Sequence, residues 1–528
     1  MVLALALTLA TLPFAGDAPP EVLFPASGMP LDGFGLNVVV DGDRMIASAL
    51  GVETAGLTTG AAYIYQNTPA GWVEEAVLLP SPAQQYHNFG YSIDLEGTRA
   101  VVGAAGEDGG PINRGAVFVF ELQGGSWVQT DHIISTLAEA EAHFGQYLSL
   151  SGDRLAISAP GASTTAGGFH RGHVDMHVLV NGNWRSEQIL EASAGTVSWD
   201  AVALDLEDDL LVSTLASHSA TTGSQRSIRI HERGPSGWIL SSTIAPPTPT
   251  AQGMSNSFGD KLALQGNTLL ISAPRLRVGD YIRNGSVFAY QRIGSSWFQR
   301  DTLVPPLGAD ELYFGWDIDI DGDRAVVGSR SEGTTSNNVF FSYRGKDGRW
   351  GLERSILEPV GVNGEVFGHS VSVSGDALFA GASHDNPNGE FSGSVLAYDL
   401  AQAYSSYCDP TSTSTGGPAL LFLTGPAQVN ASGMGLIVRP VPDDIGIVYF
   451  GTQAVSAPFG NGTRCVGGTV TRMDYMLGVN NEMHIPLDPV AEGIPAGSTR
   501  HFQAWFRDAA AAGSFFNLSD AITVAFLP

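Results

Sequence analysis

Lysine is almost absent from this chain. Two of its 528 residues are Lys, Lys261 and Lys346, and the other 24 of its 26 basic residues are Arg. Set against 53 Asp and Glu, they leave a net charge of −27. A surface this poor in cations cannot neutralise a phosphate backbone, which excludes sequence-independent nucleic-acid binding. It is also repelled by anionic membrane surfaces. Cysteine is scarce too. Cys408 and Cys465 are the only two, and no Cys-x-x-Cys pair exists, so dithiol redox chemistry and zinc-ribbon architecture are excluded. Outside the N-terminus no apolar run approaches ~20 residues, so no transmembrane helix and no membrane insertion are expected. There is no Gly-x-Ser-x-Gly elbow, no His-Glu-x-x-His and no phosphate-binding loop.

The N-terminus carries an apolar run from Val2 to Ala15, followed by Gly16-Asp17-Ala18. This is too short to span a bilayer and reads as the core of a signal peptide, with a small-residue cleavage pattern, over residues 1–18. A secreted or cell-surface protein is expected. In that setting the two cysteines most simply form one disulfide, with two buried thiols as the alternative. Hydrophobic residues make up 43 %, enough for a packed core. Glycine is abundant, at 65 residues. Interior Gly weakens helices by ~0.5–1 kcal/mol each relative to Ala, so turn-rich β structure is expected instead.

An internal repeat organises the first four-fifths. Phe-Gly recurs at Phe34, Phe89, Phe144, Phe258, Phe314 and Phe367. The steps are about 55 residues, except for one double step, inside which Ser198-Trp199-Asp200 marks a degenerate copy. Each of the seven units has the same order. An alternating strand such as Tyr147-Leu148-Ser149-Leu150 leads to a tight polar turn such as Gly152-Asp153. A short apolar strand ending in small residues follows, for example Ile157-Ser158-Ala159-Pro160. A variable loop then leads to a third strand, and a fourth is opened by Trp72, Trp127, Trp184, Trp238, Trp297 or Trp350. Four antiparallel strands repeated seven times predict an all-β, seven-bladed β-propeller over residues 21–404. No Trp-led strand follows the seventh unit. Glu21-Val22-Leu23-Phe24-Pro25 resembles the end of one, so the N-terminal strand is expected to complete the last blade and close the ring.

Phe-Gly, then Gly-Ala-Pro or variants such as Ser158-Ala159-Pro160 and Ser272-Ala273-Pro274, then Gly-x-Val, resembles the FG-GAP repeat of integrin-alpha-like propellers. The resemblance implies fold and a binding role, and no particular ligand. Many FG-GAP units hold calcium in an Asp-x-Asp-x-Asp-Gly loop. Here only Asp317-Ile318-Asp319-Ile320-Asp321-Gly322-Asp323 has those letters. Asp317 and Asp319 stand in register with strand positions Ser92 and Asp94, so an extended acidic strand is the plainer reading of Asp317, Asp319 and Asp321. Calcium, which needs six to eight converging oxygens, is the alternative, and no other cofactor is expected.

Repeat signals stop at a polar linker, residues 405–417. Segments such as Leu420–Leu423, Ile445–Phe450 and Phe502–Phe506 predict a small β-sandwich over residues 418–528. A Cys408–Cys465 bridge would tie the linker to it. The stretch from Pro458 to Gly468, together with Phe502–Asp508 and Asn517–Asp520, resembles a C-terminal module found on secreted bacterial proteins of varied architecture. Such a module fits display, anchoring or export.

Three groups are candidate sites. His173, Asp175 and His177 share one face of a third strand, as a His/Asp metal site or as a hydrogen-bonded polar seam between divergent blades. The loop with Arg275, Arg277, Tyr281 and Arg283 suits an acidic group or a protein hot spot, or else ordinary ion pairing. His384 and Asp385 in the seventh unit form a weaker version of it. The leading functional reading is a secreted protein that binds a protein or glycan through propeller loops, without catalysis. The rivals are a secreted polysaccharide- or ester-cleaving enzyme with a channel site, and a structural envelope component.

Overall fold

In a computed structural model, the described residues run from 20 to 527. They exclude 108–112, 138–139, 163–171, 192–196, 220–222, 248–256, 306–309, 331–338, 347, 360–365, 401–403, 409, 411, 416, 426, 431–432 and 512, and the side chains of 197–202, 217–219 and 223–225. The expected signal segment and the side chains of Ser198-Trp199-Asp200 lie outside them. The chain forms two compact units, one of residues 20–350 and 358–399, the other of residues 400–528 with 351–357.

Alternation of apolar and polar residues makes each repeat a sheet with one set of side chains turned toward its neighbours. Seven four-stranded antiparallel sheets result. Their first strands are Val38–Asp41, Phe89–Glu96, Leu148–Ser151, Val197–Glu207, Leu262–Gln265, Ile318–Asp321 and Val371–Ser374. Within six sheets the strands pair in chain order. In the seventh the outer strand is Glu21–Leu23, with Glu21 opposite Ala397 and Leu23 opposite Val395. Glu21 also accepts the N–H of Trp72, as Gln188 does for Trp238 and Asp301 for Trp350. The N-terminal strand thus takes the place of a Trp-led fourth strand.

Apolar residues of consecutive sheets share their cores. Phe34, Val38 and Tyr63 of the first sheet pack with Phe379 and Val395 of the seventh. Ile46 and Ile64 pack with Phe89, Ile93 and Phe118 of the second. Each Phe-Gly phenylalanine is fully buried. Its Gly lies at positive φ, and at Gly35 and Gly145 a Cβ would strike backbone, the carbonyl oxygens of Ser394 and Ala116. The dipeptide therefore marks where one sheet's entry presses against another's third strand.

The first strands follow one another in space in chain order, and Val371–Ser374 meets Val38–Asp41. Hydrogen bonds between side chain and backbone knit these neighbours. The last residue of each first strand accepts an N–H from the hairpin turn of the next sheet. Asp41 takes it from Gly97, Glu96 from Gly152, Ser151 from Asp208, and Glu207 from Gly266. Gln265 takes it from Gly322, Asp321 from Gly375, and Ser374 from Gly42. One step earlier, Asp94, Ser149, Asp205, Asp319 and Ser372 accept from Leu150, Leu206, Leu264, Val373 and Val40. Val39 and Ala263 hold the two remaining places.

The turn donors sit at positive φ in all seven sheets, by Gly in six and by Asp208 in one. At Gly97 a Cβ would meet no neighbour, so Gly97→Ala tests backbone strain alone. A loss of about 1 kcal/mol is expected in urea unfolding. A loss under about 0.3 kcal/mol would mean that the turn relaxes freely.

The second unit holds a five-stranded sheet in the order Tyr404–Tyr407, Phe516–Ala525, Thr499–Arg507, Ile445–Gly451, Thr471–Leu477. A three-stranded sheet consists of Leu420–Thr424, Gly435–Arg439 and Met483–Pro486. Leu421, Leu436, Val438 and Ile485 of the smaller sheet share one core with Val448, Phe502, Ala504 and Ile522 of the larger. Residues 405–407, expected in a linker, are instead part of an edge strand. Their polar Ser-Ser pair hid a strand whose stability comes from pairing with Phe516–Ala525. A disulfide joins Cys408 and Cys465, with Cα atoms 6.3 Å apart.

Candidate functional site

The inward-facing residues of the first strands line a cavity of about 650 Å³, to which all seven sheets contribute. Its walls come in levels that follow the chain from Phe-Gly into each first strand, where inward side chains recur every second residue. The outermost level is the residue just after Phe-Gly: Leu36, Tyr91, Gln146, Asp260, Trp316 and His369. The next includes Asn37, Ser92, Tyr147, Lys261, Asp317 and Ser370, and the next Asp94, Ser149, Asp205, Ala263, Asp319 and Ser372.

Charge concentrates at the mouth. The Lys261 ammonium lies 3.0 Å from Asp317, and 40 % of its side-chain surface stays open. Burial pulls that ammonium down, but Asp317 outweighs burial and leaves it above the ordinary lysine value. Asp260 is shared by two guanidiniums. One oxygen takes Arg226, and the other takes Arg275 at 2.9 Å. Trp316 anchors this corner, with the Arg275 guanidinium 5.7 Å and the Arg330 guanidinium 4.8 Å from its ring. The His369 ring lies 5.5 Å from the same indole. Burial, helped by Lys261, holds its imidazole down at about 4, so it is neutral at pH 7.

Deeper in, burial pushes Asp94 up to about 7, Asp205 to about 6 and Asp319 to about 7, against the N–H groups that favour ionisation. Asp205 accepts from Leu264 N, Leu206 N and the Ser149 hydroxyl. Asp319 accepts from Val373 N, Ile320 N and the Ser372 hydroxyl.

Of the residues singled out in the sequence, Arg275, Asp317 and Asp319 line this cavity. The loop companions of Arg275 point to other partners. Arg277 donates to the carbonyls of Gly279 and Asp280, Arg283 pairs with Glu311 at 3.2 Å, and Tyr281 is exposed. Asp317, Asp319 and Asp321 lie along the extended stretch and accept from Val371, Val373 and Gly375, three separate points of the neighbouring strand. His173, Asp175 and His177 are all buried, with His177 Nδ1 3.7 Å from Asp175 and the Ser186 hydroxyl donating to Asp175 at 2.6 Å. Among the described residues no three His, Cys, Asp or Glu side chains converge as metal ligands do. His384 packs on Phe391 and, with Asp32, lines a smaller pocket of about 270 Å³. Asp385 is buried, its carboxylate taken by the Ser394 hydroxyl and Asn386 N.

Sequence reasoning raised a channel site only within the enzymatic rival and did not identify the wall of the cavity. Its signal was a polar residue at one fixed place in otherwise apolar first strands: Asp94, Ser149, Asp205, Asp319 and Ser372.

The model of the FG-GAP repeat matches residues 72–120, 297–339 and 350–398, and the chain carries these repeats in a β-propeller fold. Each match begins at a Trp-led strand. No curated protein matches the chain. Among solved structures, the β-propeller domain of the Trilobed protease from Pyrococcus furiosus is 10 % identical, covering 73 % of this chain and 95 % of its own, with a TM-score of 0.41. Acylaminoacyl peptidase in complex with Z-Gly-Gly-Phe-chloromethyl ketone is 9 % identical, covering 80 % and 58 %, with a TM-score of 0.39. A candidate 6-phosphogluconolactonase from Bacteroides uniformis is 13 % identical, covering 65 % and 91 %, with a TM-score of 0.41. These likenesses say nothing of what this chain binds or does.

Proposed function

We propose that this FG-GAP-repeat protein is a secreted or cell-surface binding protein. Its seven sheets act as the blades of a closed propeller, and its ligand, a glycan or a protein, enters at the cavity mouth. The closed ring is supported by the Glu21–Leu23 strand on the seventh sheet and by the seven side-chain joints between consecutive sheets. The two sheets of the C-terminal unit are read as a β-sandwich serving display or attachment. The disulfide supports export, since such bonds persist in oxidising compartments.

One observation carries the binding reading. The cavity's deep carboxylates are committed to the backbone of neighbouring strands, while its mouth offers charged and aromatic groups open to a visitor. A specific observation favours the enzymatic rival: Asp94 and Asp319, held up to about 7, lie where acid–base groups work.

The test is retention on glycan and protein arrays, with product analysis of every ligand retained. Binding without conversion, reduced at least tenfold in the Trp316→Ala/Arg275→Ala variant, is the expected result. Turnover that disappears in Asp319→Ser would overturn the reading in favour of catalysis.

A further inference from the structure

We infer that the cavity mouth takes an acidic saccharide, its oxyanion group held by Arg275, Arg226 and Lys261. This rests on the binding reading and names its ligand class. The cavity's three lining cations all sit at the mouth, against two of its five carboxylates, Asp260 and Asp317, which leaves one positive charge in excess there in a chain of net charge −27. Asp260 is divided between two guanidiniums, so each keeps N–H donors beyond that contact, and a guanidinium fork suits carboxylate or sulfate. Trp316 holds Arg275 from the side, so the fork is oriented before a ligand arrives.

The wall beyond the mouth asks for a different chemistry in the same molecule. Asp94, Asp205 and Asp319 stand two residues past the level of Lys261 and Asp317 and three past that of Asp260 and Trp316, about 7–10 Å along the strands. A carboxylate has about four acceptor sites. Asp205 and Asp319 each use three, two on neighbouring strands and one on the next N–H of their own, and Asp94 uses two, on Leu150 of the neighbouring strand and Leu95 of its own. What remains hydrogen-bonds sugar hydroxyls in either protonation state and offers no cation to a second anion. Tyr91, 39 % exposed on the same wall, offers an apolar face to sugar C–H groups. An anionic end with a hydroxyl-rich body is the chemistry of a uronic-acid or sulfated saccharide. An acidic peptide has the charge without the body of hydroxyls.

Calorimetry on the full chain would compare a trigalacturonate, a sulfated trisaccharide, a neutral trisaccharide of equal length, an acidic peptide and sodium sulfate alone. One or both acidic saccharides are expected to bind at least tenfold tighter than the neutral one, and which of them does so identifies the oxyanion. Arg275→Ala should remove that preference, and raising salt on the unaltered protein should weaken it. Tyr91→Ala should weaken the saccharide while leaving sulfate unchanged. Equal binding of neutral and acidic saccharides, or preference for the peptide, overturns the inference and leaves the binding role standing. Silence toward all five, together with silence on the arrays, overturns both.

Discussion

Replacing Gln503 by Leu is expected to remove about 4 kcal/mol or more from the stability of the C-terminal unit. Gln503 is fully buried in the five-stranded sheet, and its amide is used to capacity. Its oxygen accepts the Tyr449 hydroxyl at 2.6 Å and the Cys465 N–H at 2.9 Å. Its nitrogen donates to the carbonyls of Thr463 and Ser519, both at 2.9 Å. One side chain thus ties the sheet to the Gln453–Phe459/Gly462–Gly467 hairpin and to the neighbouring Phe516–Ala525 strand. Leu has similar volume and satisfies none of the four partners. Each orphaned buried group costs ~1–3 kcal/mol, and local shifts recover part of the sum. Gln503→Glu retains the two acceptor contacts but not the two donors, and it buries a charge, so it too should lose more than half as much. Urea unfolding with the disulfide intact measures both. A loss below 1 kcal/mol for the Leu variant would mean that water or a rearranged hairpin replaces the amide.

A second expected result is a stability that falls as pH rises from about 4 to about 7. Burial raises Asp94, Asp205 and Asp319 above the ordinary carboxyl value near 4, to about 7, 6 and 7. An acid held up in the folded state favours folding while protonated. Its contribution is present in full below its unfolded pKa and is lost as pH climbs through its folded one. Three such groups on one cavity should tilt the unfolding free energy by several kcal/mol, and by no less than about 3 kcal/mol, across that window. The protein supplies its own control, because Ser149 and Ser372 occupy the same strand position in sibling sheets and accept the same kind of backbone N–H. The triple variant Asp94→Ser, Asp205→Ser, Asp319→Ser should keep the joints and flatten the pH curve. Equal slopes for the variant and the unaltered protein would assign the pH dependence to other groups.

Much of the fold was readable because repetition averages out local ambiguity. Phe-Gly, the turn pairs and the Trp-led strands each recur at least six times, so a strand obscured in one unit is visible in another. Even the N-terminal strand could be placed, since Glu21-Val22-Leu23 matches the end of a strand type absent from the seventh unit. The candidate site was less legible. The Arg275 loop stood out by composition, yet only Arg275 of its four singled-out residues reaches the cavity; Arg283 is drawn off by Glu311. Asp317 and Asp319 looked like an exposed acidic face, since alternation reports two faces without saying which one neighbouring sheets enclose. The C-terminal edge strands were missed for a related reason. Tyr404–Tyr407 is short, with a polar Ser-Ser centre, and Gln453–Phe459 is largely exposed without regular alternation, so pairing rather than pattern makes them strands.

The seven joints between sheets all run in one direction. The side chain comes from the earlier repeat and the N–H from the later one, and at the last junction Ser374 serves the first repeat's Gly42 in the same way. Each repeat therefore carries both halves of one heterologous contact, like a subunit of a head-to-tail cyclic oligomer whose members have been fused. The junction between the seventh repeat and the first uses the same chemistry as the six between repeats consecutive in the chain. By that logic the starting point of the propeller is arbitrary, and a circular permutant opened between any two sheets would retain every joint.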